Sequence, residues 1–298
     1  MRTEIEVDAF TAVVCHDELP AGTALPDDIV VGPGGASRTL LQLTPRRRVS
    51  SVWDLGCGSG VQSVIAAQHA ERVVATDIDA RCLDFTQLSA AESGVQVETR
   101  LGSLTEPVSG ERFDLIVSNP PFVIGQATSL VHRESPLPAD GLTEQLLKLL
   151  PNHLNPDGLA VLLTSWLETS SQSWEERIEA WLPAGVDVWI GLRDSLTPAA
   201  YIDVWLRDAG LAEDEITRAL WTQQLASWDA QALCFGWVVL APVQSEPVIR
   251  IEDLRNAAAV PTGDELLPTS WAPSNCLRPA SSRAQPRVGA ETSEWIRC

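Results

Sequence analysis

The stretch Val52-Trp-Asp-Leu-Gly-Cys-Gly-Ser-Gly60 decides how the rest of this chain is read. An apolar strand ends at Leu55, a glycine loop follows, and the spacing of apolar residues over Val61–His69 predicts a helix directly after it. Glycines let a backbone pass close to a ligand, and the first turn of a helix offers N–H groups without intrahelical partners. The same glycines also describe a plain tight turn between strand and helix. A dinucleotide fingerprint is the nearest competitor. It needs glycine in the sixth place of G-x-G-x-x-G, where this chain has Val61. It must also receive a pyrophosphate, which the charge on Asp54 repels; Asp54 suits a cationic ligand instead.

Outward from this loop, short apolar runs alternate with helical patterns. Val52–Leu55, Arg72–Thr76, Val95–Arg100, Asp114–Ser118 and Leu159–Thr164 read as strands, with helices over Val61–His69, Arg81–Ser93 and Leu142–Leu150. Gly94 stands where a helix C-cap glycine is expected. Further on, Trp174–Leu182 and Ala199–Gly210 read as helices, and Val186–Ile190 and Leu233–Leu240 as strands. The expected fold is α/β: a seven-stranded, mainly parallel sheet with helices on both faces and the last two strands antiparallel at one edge. Residues 1–48 form an N-terminal segment leading into the binding loop, 49–249 the α/β domain, and 250–298 a loosely ordered tail. In that tail Pro261, Pro268, Pro273, Pro279 and Pro286 interrupt any periodicity.

Two more signals carry chemistry. Val73-Val-Ala-Thr-Asp77 is an apolar strand ending in an acid, seventeen residues after Gly60. Such an acid can accept both ribose hydroxyls of a nucleoside. Asp79 either joins it or caps the next helix. Phe113-Asp-Leu-Ile-Val-Ser-Asn-Pro-Pro-Phe122 runs a buried strand into a turn whose prolines remove two N–H donors and stiffen the backbone. This leaves backbone carbonyls and the Asn119 amide oxygen free to accept, and together they can hold an –NH2 group by both hydrogens. The loop Val123–Gly141 is placed to gate a substrate, with His132, Arg133, Glu134 and Asp140 on it. His132 reads as a general base or as a solvated loop histidine.

Asp54-Leu-Gly-Cys-Gly-Ser-Gly60, Asp77 and Asn119-Pro-Pro-Phe122, in this order, resemble the class I S-adenosylmethionine-dependent methyltransferases. More narrowly they resemble the group acting on planar amines: release-factor glutamine, ribosomal RNA guanine (small-domain type) and DNA adenine methyltransferases. Val30–Phe122 further resembles uncharacterised actinobacterial members of that group. The resemblance covers about residues 25–240. It implies a Rossmann-like sheet and S-adenosyl-L-methionine as cofactor. Asp54, Gly56, Gly58 and Gly60 would flank its methionine part, Asp77 its ribose and Ile78 its adenine. Where the family often has an acid for the adenine amine, this chain has Gly102-Ser103. Asn119, Pro120 and Phe122 would be the catalytic residues, and Gly102, Ser103 and Asn119 would also touch the cofactor. Gly35–Ser37 would approach the cofactor, unless Ser37 is an ordinary helix cap.

Composition bounds the rest. The 298 residues are 45% hydrophobic, enough for a real core. Forty acids against 21 bases give −19, carried by residues 1–249, since 250–298 hold six of each. Such a surface repels phosphate backbones, so tight non-specific nucleic-acid binding by the chain alone is not expected. Arg46-Arg47-Arg48 is the one basic cluster, a solvated bend or an RNA contact. The six cysteines lack C-x-x-C spacing and the four histidines are scattered, so no metal is expected and the thiols read as inert. Ten of eleven tryptophans follow residue 160, filling the core or forming a stacking face. Without an apolar span or secretory leader the expected location is cytoplasmic, with no membrane partner. The function read from all this is S-adenosyl-L-methionine-dependent N-methylation of a planar amine in a protein or RNA. The alternatives are a small-molecule methyltransferase and a catalytically silent cofactor-binding or interaction module.

Overall fold

The computed structural model describes residues 1–18, 28–121, 123–125, 137–243 and 246–267. The chain opens with a hairpin of β1 (Arg2–Val7) and β2 (Phe10–Cys15), then α1 (Gly35–Leu43). Next come β3 (Val49–Leu55), α2 (Val61–Ala66), β4 (Ala70–Asp77), α3 (Ala80–Glu92), β5 (Glu98–Leu101), β6 (Phe113–Ser118) and α4 (Gly141–Leu149). The rest is β7 (Leu154–Thr169), α5 (Trp174–Glu179), β8 (Val186–Leu196), α6 (Pro198–Asp208), α7 (Glu215–Ser227), β9 (Ala230–Pro242) and β10 (Ile249–Asp253).

The main sheet has eight strands in the order β10-β8-β9-β7-β6-β3-β4-β5. Every pairing is parallel except the two that β9 makes, with β7 and β8. The Rossmann-like α/β class therefore holds, with one strand more than the seven expected. The last two expected strands do pair antiparallel, but only β9 runs against the sheet, and it lies inside it. The cause is the connection: β8 and β9 are joined by two helices, and a second helix returns the chain to the end of the sheet it left. The second of these, α7, is not foreseen in the sequence. Its apolar residues are split between a buried set, Trp221 and Leu225, and an exposed pair, Ile216 and Leu220.

Alternation along the strands divides the core in two. Val52, Val73, Leu115 and Val161 face one side, against α1, α2, α3, α6 and α7. Trp53, Val74, Ile116 and Leu162 face the other, against α4 and α5. Trp166, Trp174, Trp189, Trp205, Trp221 and Trp237 are all buried, so six of the ten tryptophans after residue 160 fill the far half of the core.

The N-terminal hairpin docks through side-chain hydroxyls. On α3, Ser93 Oγ accepts from Val13 N at 2.9 Å and Ser89 Oγ from Cys15 N at 2.8 Å, which covers an otherwise open strand edge. The region after 249 departs from the tail reading. Residues 249–253 pair with β8 as the edge strand. Residues 254–267 then form a strap to the end of α1: Gly263 N donates to Gln42 O at 3.0 Å, and Leu266 is wholly buried. A Cβ at Gly263 would lie 2.4 Å from Pro45 N, so this proline-spaced segment is fitted to its place. The remainder of the tail, 268–298, lies outside the described residues. Among the described residues no helix is long and apolar enough to cross a membrane.

Candidate functional site

Parallel strands bring their C-terminal ends to one rim of the sheet, and the loops there enclose a cavity of about 470 Å³. The loops after β3, β4, β5 and β6 all contribute, with the first turn of α1 and one face of α4 closing the sides. Asp54, Asp77 and Asp79 line it, and no Lys, Arg or His does among the described residues. A cavity with three carboxylates and no base takes a cationic or neutral ligand and rejects a phosphate.

Gly56, Gly58 and Gly60 have φ of +73°, +53° and +82°, the left-handed region that a Cβ disfavours. At Gly60 a Cβ would also lie 2.9 Å from Thr86 Cα, whereas Gly56 and Gly58 face open space. The close approach of α3 thus sets Gly60, and conformation alone sets the other two. The loop is fastened by Asp77: its Oδ2 accepts from Gly58 N and its Oδ1 from Asp79 N, each at 3.0 Å. Asp79 in turn caps α3, accepting from Arg81 N. Burial pushes the Asp77 carboxyl above the ordinary range, against the pull of these backbone donors.

Asp54 is buried, and its Oδ2 accepts from Ser63 N at 3.0 Å and Ser63 Oγ at 2.5 Å. Burial raises its pKa to about 7; the Ser63 hydrogen bonds oppose this and the nearby charge of Asp77 adds to it. Ile78 stands at the cavity wall with 55% of its surface uncovered, unusual for an isoleucine beside a pocket. Gly102 has φ of +155°, and a Cβ there would meet Pro107 at 2.5 Å; Ser103 beside it is exposed.

After β6, Ser118 Oγ donates to Leu55 O at 2.9 Å and ties the strand end to the glycine loop. Asn119, Pro120 and Pro121 line the cavity next. The Asn119 Oδ1 atom is buried and has no hydrogen-bond partner among the described residues. Phe122 lies outside the described residues, as do His132, Arg133 and Glu134. Asp140 is structural: it pairs with Arg177 at 2.5 Å and accepts from Leu167 N.

Gly34, Ala36 and Ser37 reach the cavity. The N-cap of α1 is Gly34, without a side-chain cap, so Ser37 is not the cap. Arg46–Arg48 precede β3 and stand at the opposite end of the sheet from the cavity. Arg46 pairs there with Asp8, and Arg47 donates to Asp157 O. Ser63, Gln62 and Cys82, and the α4 residues Leu142, Gln145 and Leu146, are site residues that the sequence reading missed. Ser63 alone had a signal, as a hydroxyl in the first turn after the glycine loop; the α4 residues arrive by a crossover with no local mark. Burial pushes the Cys57 and Cys82 thiols up and keeps them protonated. Among the described residues no three His, Cys, Asp or Glu gather as metal ligands.

These features fit S-adenosylmethionine. Its sulfonium and ammonium match an acid-lined, base-free cavity, its adenine needs an apolar cover such as Ile78, and an unpartnered buried acceptor stands beside the cavity. The methyltransferase small domain family matches residues 33–164. The chain is similar to the ribosomal RNA small subunit methyltransferase C of Escherichia coli, 34% identical over 126 residues, which is 42% of this chain and 33% of that protein. The match thus spans about a third of the length of such relatives. Among solved structures, a T. thermophilus 16S rRNA N2 G1207 methyltransferase in complex with AdoMet and guanosine is similar at TM-score 0.43 and 20% identity, covering 63% of this chain and 47% of that one. The YcgJ protein of Bacillus is similar at TM-score 0.44 and 15% identity, covering 70% and 99%. The part of this chain that is similar to methyltransferase small domains, residues 33–164, is thus the part that carries the glycine loop, Asp77 and Asn119 of the cavity.

Proposed function

We propose that this chain transfers a methyl group from S-adenosylmethionine to the exocyclic –NH2 of a nucleobase in RNA. The observation that carries the reading is the buried Asn119 Oδ1, which has no partner among the described residues and stands beside two residues without an N–H to offer it. Leaving such an acceptor unmet costs ~1–3 kcal/mol, which a ligand donor recovers. A planar –NH2 supplies that donor. Its second hydrogen goes to the Pro120 carbonyl.

The nitrogen lone pair of such a group is delocalised, which makes it a poor nucleophile. Holding both hydrogens aims the nitrogen and favours pyramidalisation as positive charge grows on it. Phe122, outside the described residues, is the aromatic side chain this reading assigns to the planar group and its charge. The cofactor supplies an electrophilic methyl and a neutral thioether leaving group. After transfer the surplus proton on nitrogen passes to solvent. Asp54 and the glycine loop hold the methionine end. Asp77 accepts from the ribose hydroxyls with lone pairs not used by Gly58 and Asp79. Ile78, Gly102 and Ser103 border the adenine.

RNA as substrate is supported by the 34% identity with a ribosomal RNA methyltransferase. The net charge of −19 favours a second reading, a carboxamide in a protein. Tritium transfer from labelled S-adenosylmethionine decides between them, with three arms: small ribosomal subunits, their deproteinised RNA, and a protein fraction. Label recovered in a methylated base after nuclease digestion is the expected result. Label in protein moves the function to the second reading. No transfer in any arm, with cofactor binding intact by calorimetry, leaves a silent binding module.

A further inference from the structure

We infer that Tyr201 is a positioning residue for methyl transfer, acting through the main chain just beyond the Asn119-Pro120-Pro121 turn. The inference rests on the proposed function. The turn is fixed in front by the Ser118–Leu55 hydrogen bond, but the prolines donate nothing and the Asn119 oxygen holds nothing among the described residues. Something behind the turn must fix it, and Val123, Ile124 and Gly125 are buried there. Ile124 N donates to the Tyr201 hydroxyl at 2.6 Å, and that hydroxyl donates to Ile124 O at 3.2 Å. One phenol oxygen thus serves both main-chain groups of a single residue, as a neighbouring strand would.

The ring that carries this hydroxyl is packed on all sides. Tyr201 is fully buried in α6, with its ring stacked on Phe235 of β9 at 6.0 Å and 22°. Trp221 of α7 packs beside it, its ring centroid 5.8 Å away. A Cβ at Gly125 would lie 2.9 Å from the Trp221 ring, so the same helix pair also grips the next residue. Helices from the β8–β9 connection therefore hold a segment that follows β6. The consequence for the reaction is selective. The cavity takes Asn119, Pro120, Pro121 and Val123 from this stretch, but its carboxylates and glycine loop, Asp54, Asp77, Gly56 and Gly58, come from other elements. Loss of the phenol hydroxyl leaves them in place and lets the turn carrying Asn119 drift.

Tyr201→Phe keeps the stacked ring and removes only the hydroxyl. Trp205→Phe is the control: Trp205 contacts Tyr201 in the same cluster, its ring centroid 6.1 Å away. Hydrogen exchange in the presence of S-adenosylmethionine should show the amides of 123–125 exchanging up to ~10-fold faster in Tyr201→Phe, the loss of one ordinary hydrogen bond. The cofactor dissociation constant should not change. Single-turnover transfer into the small-subunit or RNA arm that the parent labels should fall by ~10- to 100-fold, the effect of a small misplacement. Trp205→Phe should lower the melting temperature without either change. Retained amide protection in Tyr201→Phe overturns the clamp. An equal fall in transfer for both variants makes the role merely structural and overturns the inference, as does parental transfer with protection lost. A parent protein that labels no arm brings down the proposed function and the catalytic half of this inference together, while exchange still reads the clamp, so the two failures are distinguishable.

Discussion

The two halves of the sheet are made by different physics. Around β3, β4 and β5 the site is a main-chain construction. Glycines at positive φ shape the loop, and carboxylates hold backbone N–H groups, Asp77 on Gly58 and Asp54 on Ser63. Around β7 to β10 and α6–α7 it is a packing construction, with Tyr201, Trp205, Trp221, Phe235 and Trp237 buried against one another or the sheet. The first half presents carboxylates to a small ligand. The second holds the first in position and sets what stands across from it. Changes in the first half should therefore move cofactor affinity, and changes at the junction should move turnover alone.

The sharpest way to break that division is Asn119→Ala, at the junction. Turnover should fall ~10²- to 10³-fold, the usual cost of one positioned electrostatic contact, with cofactor affinity unchanged by calorimetry. A parental rate would make the turn only structural. Next in size is the strap. Leu266 is wholly buried, so Leu266→Ala should cost about 3 kcal/mol in urea denaturation. A negligible change would return residues 254–267 to the status of a loose tail. Asp77→Ala should weaken cofactor binding by ~1.5–3 kcal/mol, the scale of a charge-assisted hydrogen bond. Part of that loss would come from the Gly58 N–H it no longer holds, so Asp77→Asn should cost less. Unchanged affinity in both removes Asp77 from the ribose.

The smallest effect is a pH dependence. Burial raises the Asp54 pKa to about 7 in the folded protein. A carboxyl raised on folding favours its neutral form there, so its contribution to stability is full below the ordinary carboxylate pKa and is lost as pH rises through about 7. A cationic ligand reverses this by favouring the ionised form. The gain in melting temperature from S-adenosylmethionine should thus be larger on the alkaline side of that pKa than on the acid side, and Asp54→Asn should flatten the trend. A larger gain on the acid side would mean that Asp54 does not face the cation.

Legibility in the sequence followed the same division. The run from Val52 to Gly60, the acid at Asp77 and the turn at Asn119 were readable because each is a local conformation written in adjacent residues. The parallel core strands were readable for the same reason. Tyr201 was not, since it meets Ile124 only after 77 residues of chain have folded. Nor was α7, whose exposed Ile216 and Leu220 blur its helical stripe. The strap was misread because Pro261 and its small residues look like disorder until Gly263 is seen against Pro45. Arg46–Arg48 stood open between a solvated bend and an RNA contact, because charge is visible in a sequence and the end of the sheet is not.

By itself, the sequence determined that the chain is an α/β protein with a glycine loop, a strand-terminal acid at Asp77 and a proline-stiffened turn after Asn119. Backbone conformation at glycine and proline depends on the residue itself, so those features need no distant partner. Tertiary structure decided the rest. It ran β9 against the sheet through a two-helix connection and added β10 at the edge. It put the basic cluster behind the site and left the cavity with acids and no bases among the described residues. It brought a single phenol to the main chain behind Asn119. Those outcomes depend on which surfaces meet when the two apolar faces of the sheet are covered, and no short stretch of sequence encodes that.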